Sequence, residues 1–118
     1  MEPFSPKRYG AQGPEAKIQK AIIKMLEIKG WWVKATHGNA HTQGWPDLYL
    51  THPSFGTRWV EVKLPDMKGS KFTKAQLRDF PNFCNLGGGV WILTAATEEE
   101  YAKLFTDPNW WLYLNILK

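Results

Sequence analysis

Hydrophobic and polar positions at the start of the chain follow the period of an amphipathic helix. An apolar stripe at helical spacing runs through residues 18–26, between Pro14, which suits a first helical turn, and Gly30, which suits a helix end. Glu15 lies three residues before Ile18 and therefore falls on the buried face in the first turn. An acid there either complements the helix dipole or belongs to a functional site, and the helix alone leaves both readings open.

Shorter runs of apolar, β-branched and aromatic residues change the period and predict strands. Polar or glycine-containing loops separate them. These runs place strands at residues 31–36, 47–51, 58–63 and 90–94. A last run, after a turn at residues 107–109, predicts a final strand over residues 110–117.

Two further helices are marked by their first residues. Thr73 and Gln76 have the spacing of a capping box and predict a second helix, which Pro81 should kink or end nearby. Thr97 and Glu100 repeat that spacing and predict a short third helix. The predicted order is α-β-β-β-α-β-α-β, an α/β fold with one domain over residues 14–118. Residues 1–13, with two prolines and two glycines, are expected to form an irregular arm.

Composition narrows the class of protein. The chain has 118 residues, 43% of them apolar, which suits one folded domain and argues against wholesale disorder. A net charge of +4 leans mildly towards a polyanionic partner. Cys84 is the only cysteine, which excludes an internal disulfide or a multi-cysteine zinc site and suggests a core residue. No signal peptide or membrane-spanning run is apparent, so we expect a soluble, cytoplasmic protein.

The third predicted strand presents an acid and a base on one face. Side chains alternate along a strand, so Glu61 and Lys63 point one way while Val60 and Val62 point into the core. If the preceding turn centres near residue 54, Asp47 lies opposite Glu61. Opposed β-carbons are about 5 Å apart, a distance that one cation can bridge.

Two readings of this arrangement compete. A surface hairpin with a cross-strand charge pair would hold Asp47 and Glu61 as facing like charges, which is destabilising without a cation between them. A metal site explains the pair better, since acidic oxygens suit hard divalent cations such as Mg²⁺. Lys63 would then orient or deprotonate a water molecule, or hold charge that develops on a phosphate.

The residues around this pair resemble a known nuclease family. Gly44-Trp45-Pro46-Asp47-Leu48 followed by Val60-Glu61-Val62-Lys63 is similar to the VRR-Nuc (virus-type replication-repair nuclease) branch of the PD-(D/E)xK superfamily. The same branch has a glutamate in its first helix, a glutamine early in its second core helix and a glycine-containing turn, matched here by Glu15, Gln76 and residues 87–89. The resemblance covers about residues 14–95. It implies a restriction-endonuclease-like αβββαβ core with a C-terminal helix and strand, and a central mixed sheet flanked by helices.

The resemblance also implies an activity and a set of site residues. The family acts on DNA with Mg²⁺ or Mn²⁺; Asp47, Glu61 and the Val62 carbonyl would hold the metal, and Glu15 would complete the acidic shell directly or through water. Lys63 would position the attacking water, and Gln76 would orient Lys63 or contact the DNA backbone.

Small stand-alone members resemble Holliday-junction resolvases. That likeness implies a structure-specific endonuclease acting on branched DNA, as a homodimer. Cleavage of flaps, nicks or ends, and a catalytically silent DNA-binding module, are the alternatives.

Basic residues and histidines near the predicted site are candidates for contact with DNA. They are Lys68, Lys71, Lys74, Arg78 and His41. A solvated basic face is an equally good interpretation of the lysines and the arginine. The four-residue spacing of His37 and His41 suits zinc on a helix, but the glycine and asparagine between them indicate a loop.

Seven tryptophans are many for this length. Trp31, Trp59 and Trp91 fall in predicted strands and are expected in the core. The other four are expected to form an exposed patch: Trp32, Trp45, Trp110 and Trp111. A dimer interface is the favoured use of this patch, and stacking on unpaired bases is its rival.

Overall fold

The computed structural model of the protein describes residues 13–36, 44–65, 72–85, 89–110 and 112. The α-helices span Pro14–Ile28 (α1), Lys74–Asn85 (α2) and Glu98–Ala102 (α3), and a 3-10 helix follows over Lys103–Phe105. The strands span Trp32–Ala35 (β1), Leu48–His52 (β2), Gly56–Val62 (β3) and Val90–Leu93 (β4). The predicted αβββαβ order with a further C-terminal helix is confirmed, and the predicted arm lies outside the described residues except for Gly13.

The strands form one mixed sheet in the order β1-β2-β3-β4. The first three pair antiparallel as a meander, while β4 pairs parallel to β3 after the crossover through α2. Parallel neighbours need such a crossover, and a helix usually supplies it. The expectation of a mixed sheet flanked by helices is therefore confirmed.

Each face of the sheet is covered by its own apolar cluster. Inward side chains of β2 and β3, such as Leu48 and Val62, pack with Ile22 and Leu26 of α1 and are fully buried. The opposite face buries Val90 and Ile92 of β4 in a second cluster whose aromatic members are Phe72, Phe80 and Trp110. The helical stripe predicted on α1 is thus its buried face, except that Ala21 is exposed. Gly30 ends the helix with a φ of +96°, which favours glycine.

Pro81 does not end α2, which corrects one of the two outcomes expected from the sequence, and a kink at this position stays a prediction. The helix runs on to Asn85 with Pro81 inside it. Proline removes the hydrogen bond to the carbonyl of residue 77, and Leu77 lies on the exposed side of the helix. Burial of Phe80 and Phe83 against the second cluster on either side of the proline holds the helix in place.

The final strand predicted from residue 110 is wrong at its start. The Leu112 N–H donates to the Asn109 carbonyl at 3.1 Å, which is a tight turn and not an extended chain. The Asn109 side chain instead occupies the edge of β4, because its Oδ1 accepts from the Ile92 N–H at 2.6 Å. Trp110 is 7% exposed, so its place in an exposed patch is also wrong. Trp111 and residues 113–117 lie outside the described residues.

The remaining tryptophans follow the sequence interpretation. Trp31 and Trp91 are buried, and Trp59 is half-buried beside the second cluster, where Cys84 also packs. Trp32 and Trp45 are 58% and 42% exposed. In the part of the chain that the structure describes, no helix has the length and apolar character needed to span a membrane.

Candidate active site

The hairpin of β2 and β3 brings two carboxylates together. Leu48 pairs with Val60, and one step further along this register Asp47 faces Glu61, as predicted. The backbone and side chains interlock there: the Asp47 N–H donates to Glu61 Oε1 at 3.0 Å, and the Val62 N–H donates to Asp47 Oδ2 at 2.9 Å. Each carboxylate is therefore oriented by the other strand's backbone.

Thr36, at the end of β1, fixes the peptide that carries Asp47. Its N–H donates to the Asp47 carbonyl at 2.9 Å. Its hydroxyl contacts the same carbonyl at 3.1 Å and also donates to the Pro46 carbonyl. Sequence reasoning did not single out Thr36, although the pairing of β1 with β2 puts it directly opposite residue 47.

Lys63 and Gln76 close the group around Glu61. Gln76 Nε2 donates to Glu61 Oε2 at 2.7 Å, and Lys63 Nζ lies 3.2 Å from the same oxygen. Lys63 Nζ also donates to Gln76 Oε1 at 3.3 Å. All three side chains are buried, with 2%, 4% and 8% exposure for Glu61, Lys63 and Gln76. A buried ionic group of this kind is costly unless every polar atom has a partner.

The capping box of α2 is confirmed and belongs to the same network. The Gln76 N–H donates to Thr73 Oγ1 at 3.0 Å, and the Thr73 N–H donates to Gln76 Oε1 at 3.1 Å. One amide oxygen thus serves both the helix start and Lys63. The ring of Phe72 lies 5.0 Å from Lys63 Nζ, which favours the positive charge of the lysine. Thr73 was predicted only as a cap and Phe72 not at all, since no local pattern links either residue to Lys63.

Glu61 is held in an electrostatically unfavourable place. Burial is the largest cause that raises the pKa of Glu61 well above its ordinary value, and the facing charge of Asp47 raises this pKa further. Lys63 and the hydrogen bond from Gln76 lower the pKa, but burial and Asp47 prevail. A divalent cation between the carboxylates would offset their mutual repulsion and so oppose the rise in the pKa of Glu61.

The donor set fits a hard divalent cation such as Mg²⁺ or Mn²⁺. Both groups offer carboxylate oxygens, which such ions prefer, and Asp47 is only half-buried. Among the described residues no three His, Cys, Asp or Glu side chains lie close enough to share a metal. Further ligands would therefore come from the Val62 carbonyl, water or the substrate, and Mg²⁺ usually keeps several waters.

Glu15 lies half-buried in the first turn of α1. It does not join Asp47 and Glu61 in a group of three acids within the described part of the chain. Its role in the acidic shell, through water or directly, stays a prediction, as does the role of the Val62 carbonyl.

The residues predicted to contact DNA fall into two sets. Lys74 and Arg78 are exposed on α2, and Arg78 pairs with Asp79 at 2.8 Å. The hydrogen bond from Arg78 lowers the pKa of Asp79, while Asp79 raises that of Arg78. Lys68, Lys71 and His41 lie outside the described residues, as does His37. DNA contact by either set stays a prediction.

Comparison with known proteins supports the architecture. No family model matches the chain, and no curated protein matches it significantly. A solved structure described as "VRR_NUC domain" is similar, with a TM-score of 0.58 and 24% sequence identity over 77% of this chain and 94% of that one. The restriction-endonuclease-like architecture implied by the motifs is confirmed, and the chain has the fold of a VRR_NUC domain.

Proposed function

We propose that this protein is a metal-dependent nuclease of the PD-(D/E)xK type that hydrolyses phosphodiester bonds in DNA. One observation carries the proposal: Asp47 and Glu61 face each other across a hairpin, and Glu61 directly contacts a buried lysine and a buried glutamine. Similarity to a solved structure whose printed name describes a nuclease domain supports it.

Asp47 and Glu61 would hold the ion, together with the Val62 carbonyl and, through water, Glu15. When bound, Mg²⁺ or Mn²⁺ would polarise the scissile phosphate and stabilise the charge that develops on it. Hydrolysis adds the oxygen of water to phosphorus and breaks one bridging P–O bond, leaving a phosphate monoester and an alcohol. The chain's own residues orient these partners.

Lys63 would act on the attacking water or on the phosphate. Its position is fixed by Glu61 and Gln76, so little reorganisation is needed when charge develops. Gln76 therefore acts as a positioning residue for Lys63. The half-buried Asp47 marks the side from which substrate would approach.

Among DNA substrates we propose branched molecules such as Holliday junctions, cut by a homodimer. Support comes from the likeness of the motifs to those of family members that resemble Holliday-junction resolvases. Lys74 and Arg78, together with Lys68, Lys71 and His41, would contact the phosphate backbone.

A cleavage panel tests the proposal. Four-way junction, flap, nicked, blunt duplex and single-stranded DNA, labelled at one end, are incubated with the protein in Mg²⁺, Mn²⁺, Ca²⁺ or EDTA. We expect internal cuts with Mg²⁺ and Mn²⁺, fastest on the junction, and none in EDTA. Faster cutting of flaps or nicks would change the substrate but keep the chemistry. Tight DNA binding with no cleavage under any condition would contradict the proposal.

A further inference from the structure

An aromatic band crosses the sheet beside the carboxylates. The Trp32 and Tyr49 ring centroids are 6.2 Å apart, those of Tyr49 and Trp59 5.0 Å, and those of Trp59 and Trp45 5.7 Å. These rings meet edge to face, the geometry that aromatic pairs prefer. The rings of Trp32, Tyr49, Trp59 and Trp45, here called the aromatic band, form one continuous surface.

The band and the carboxylates lie on the same face of the sheet. Tyr49 pairs with Trp59, and two residues along each strand come Asp47 and Glu61. Residues two apart on a strand share a face and are separated by about 7 Å. Trp45 also lies two residues before Asp47. A nucleotide that places its phosphate at the carboxylates would bring a neighbouring base over the band.

Among the described residues, α2 covers the part of this face next to Trp59 and Trp45. Phe83 of α2 packs against the band, with its ring 5.0 Å from Trp59 and 6.1 Å from Trp45. On the other side, over β1 and β2, Trp32 remains 58% exposed, and Trp45 is 42% exposed. The Trp32 ring thus packs against Tyr49, and the Trp45 ring packs against Trp59 and Phe83. Both rings still present surface to solvent.

The charge on the open half suits a nucleic acid. Lys34 pairs with Tyr49 across β1 and β2, so it lies on the same face, and it is exposed. Apart from the site residues, Lys34 is the one charged side chain that β1, β2 and β3 place on this face. Aromatic rings with an adjacent lysine are the usual platform for unpaired bases and their phosphates.

We propose that the aromatic band binds an unpaired base of the DNA strand next to the scissile phosphate. Trp45 and Trp32 stack on bases, and Lys34 contacts the intervening backbone. The consequence is a preference for branched DNA in which bases beside the cut are unpaired, as at an opened junction or at a flap. The inference rests on the proposed nuclease function, since it names the substrate feature read at that same site. A second copy of the chain seated on these tryptophans, the use favoured from the sequence, is the rival assignment that the test below separates.

A binding measurement separates this proposal from catalysis. Fluorescence anisotropy of labelled oligo-deoxythymidylate and of a blunt duplex of equal length is measured in EDTA, where no cleavage is expected. We expect Trp45→Ala and Trp32→Ala each to weaken single-strand binding by roughly 5- to 150-fold, equivalent to about 1–3 kcal/mol per stacked base. Duplex binding should be nearly unchanged. Trp45→Phe keeps an aromatic ring and should recover much of the loss.

Phe105→Ala is the matched control, because Phe105 is a similarly exposed aromatic residue (44%) that packs away from this face, against Phe55 and Tyr101. It should bind both DNAs as the wild type does. Single-strand binding that survives both tryptophan substitutions overturns the proposal, as does an equal loss for duplex. Sedimentation gives a further test. If Trp45→Ala converts a dimer to a monomer and leaves DNA binding intact, the band serves self-association and the proposal is overturned.

The outcome for the nuclease proposal is read independently. If the tryptophan substitutions weaken single-strand binding but the protein cleaves no DNA, the role of the aromatic band is retained and the nuclease proposal is rejected. If the protein cleaves DNA but both tryptophan variants bind single-stranded DNA as the wild type does, the nuclease proposal is retained and the role of the aromatic band is rejected.

Discussion

At the scale of single residues, the site is organised around the Glu61 carboxylate, whose ionisation is unfavourable where it lies. Glu61 is buried, faces Asp47 and is partly compensated by Lys63 and Gln76. Removing one partner of such a group leaves an unpaired buried charge, which costs more than the interaction itself contributes. Metal binding and folding stability should therefore be coupled at this position.

The first prediction concerns this coupling. The folded-state pKa of Glu61 is raised above its ordinary value of 4.5, so its contribution to stability is complete below that pH. As pH rises through the folded-state pKa, the unfolded chain has already released its proton, and the contribution is lost. We expect the melting temperature of metal-free protein to fall as pH rises above about 4.5, and Mg²⁺ to restore it at neutral pH.

Glu61→Gln is the matched variant for that measurement, because it keeps the shape and removes the titrating group. Its melting temperature in EDTA should depend less on pH, and Mg²⁺ should stabilise it less than the wild type. Circular dichroism melts across pH, with and without Mg²⁺, supply the data. An identical Mg²⁺ response in both proteins would show that the ion binds elsewhere.

Sequence could predict the carboxylates and, through the family resemblance, Gln76, but not the supporting residues Thr36 and Phe72. Strand alternation and hairpin spacing place Asp47, Glu61 and Lys63 together, because both rules are local. The hydroxyl of Thr36 and the ring of Phe72 reach the site only through tertiary packing. Neither has a sequence spacing that distinguishes it from an ordinary threonine or phenylalanine.

At the scale of elements, the loop before β2 and the start of α2 are fitted to each other. Gly44 has a φ of +86°, and an added Cβ there would lie 2.4 Å from Asp79 Oδ2 and 3.0 Å from Ala75. Both the backbone conformation and the close approach require glycine. The loop that carries Asp47 is therefore set by direct contact with the helix that carries Gln76.

We accordingly expect Gly44→Ala to displace this loop. The strained φ and the contact with Asp79 should lower stability by about 1–3 kcal/mol and lower the cleavage rate. Gly56→Ala is the control, because Gly56 also has a positive φ (+85°) but an added Cβ meets nothing within 4 Å. Urea unfolding and cleavage rates of both variants make the comparison. Equal activity losses would mean that contact with α2 does not position Asp47.

Element boundaries were predictable where a local signal exists and failed where tertiary contacts decide. The capping residue Thr73 and the glycine stop at Gly30 are read directly from sequence. The passage of α2 through Pro81 is not, since burial of Phe80 offsets the lost hydrogen bond. The sequence after Asn109 resembles a strand, but Trp110 is apolar because it packs on Phe80 of α2 and not because it belongs to a sheet.

At the scale of the whole molecule, the C-terminal segment completes the sheet and the second core. Asn109 occupies the edge of β4 with its side chain, and Trp110 packs against Phe72 and Phe80. Phe72 in turn contacts Lys63, so this segment supports the site from behind. The second cluster thus links the end of the chain to its candidate chemistry.

Asn109→Ala tests that link. The buried Ile92 N–H would lose its acceptor at 2.6 Å, a change that should cost about 1–3 kcal/mol of unfolding free energy. Asp107→Ala, at an exposed position nearby, should change it by less than about 0.5 kcal/mol. Chemical denaturation of the two variants and the wild type is the measurement. A neutral Asn109→Ala would mean that the segment does not hold β4.

Cleavage of the preferred DNA in Mg²⁺ by wild-type protein and by Asp47→Asn tests the central claim most directly. Asparagine keeps the size of the side chain and removes the charge that would bind the ion, and a contaminating nuclease would be unaffected by the change. With matched circular dichroism spectra, we expect the cleavage rate to fall by about 100-fold or more. A folded Asp47→Asn protein that cuts at the wild-type rate would contradict the assignment of this site.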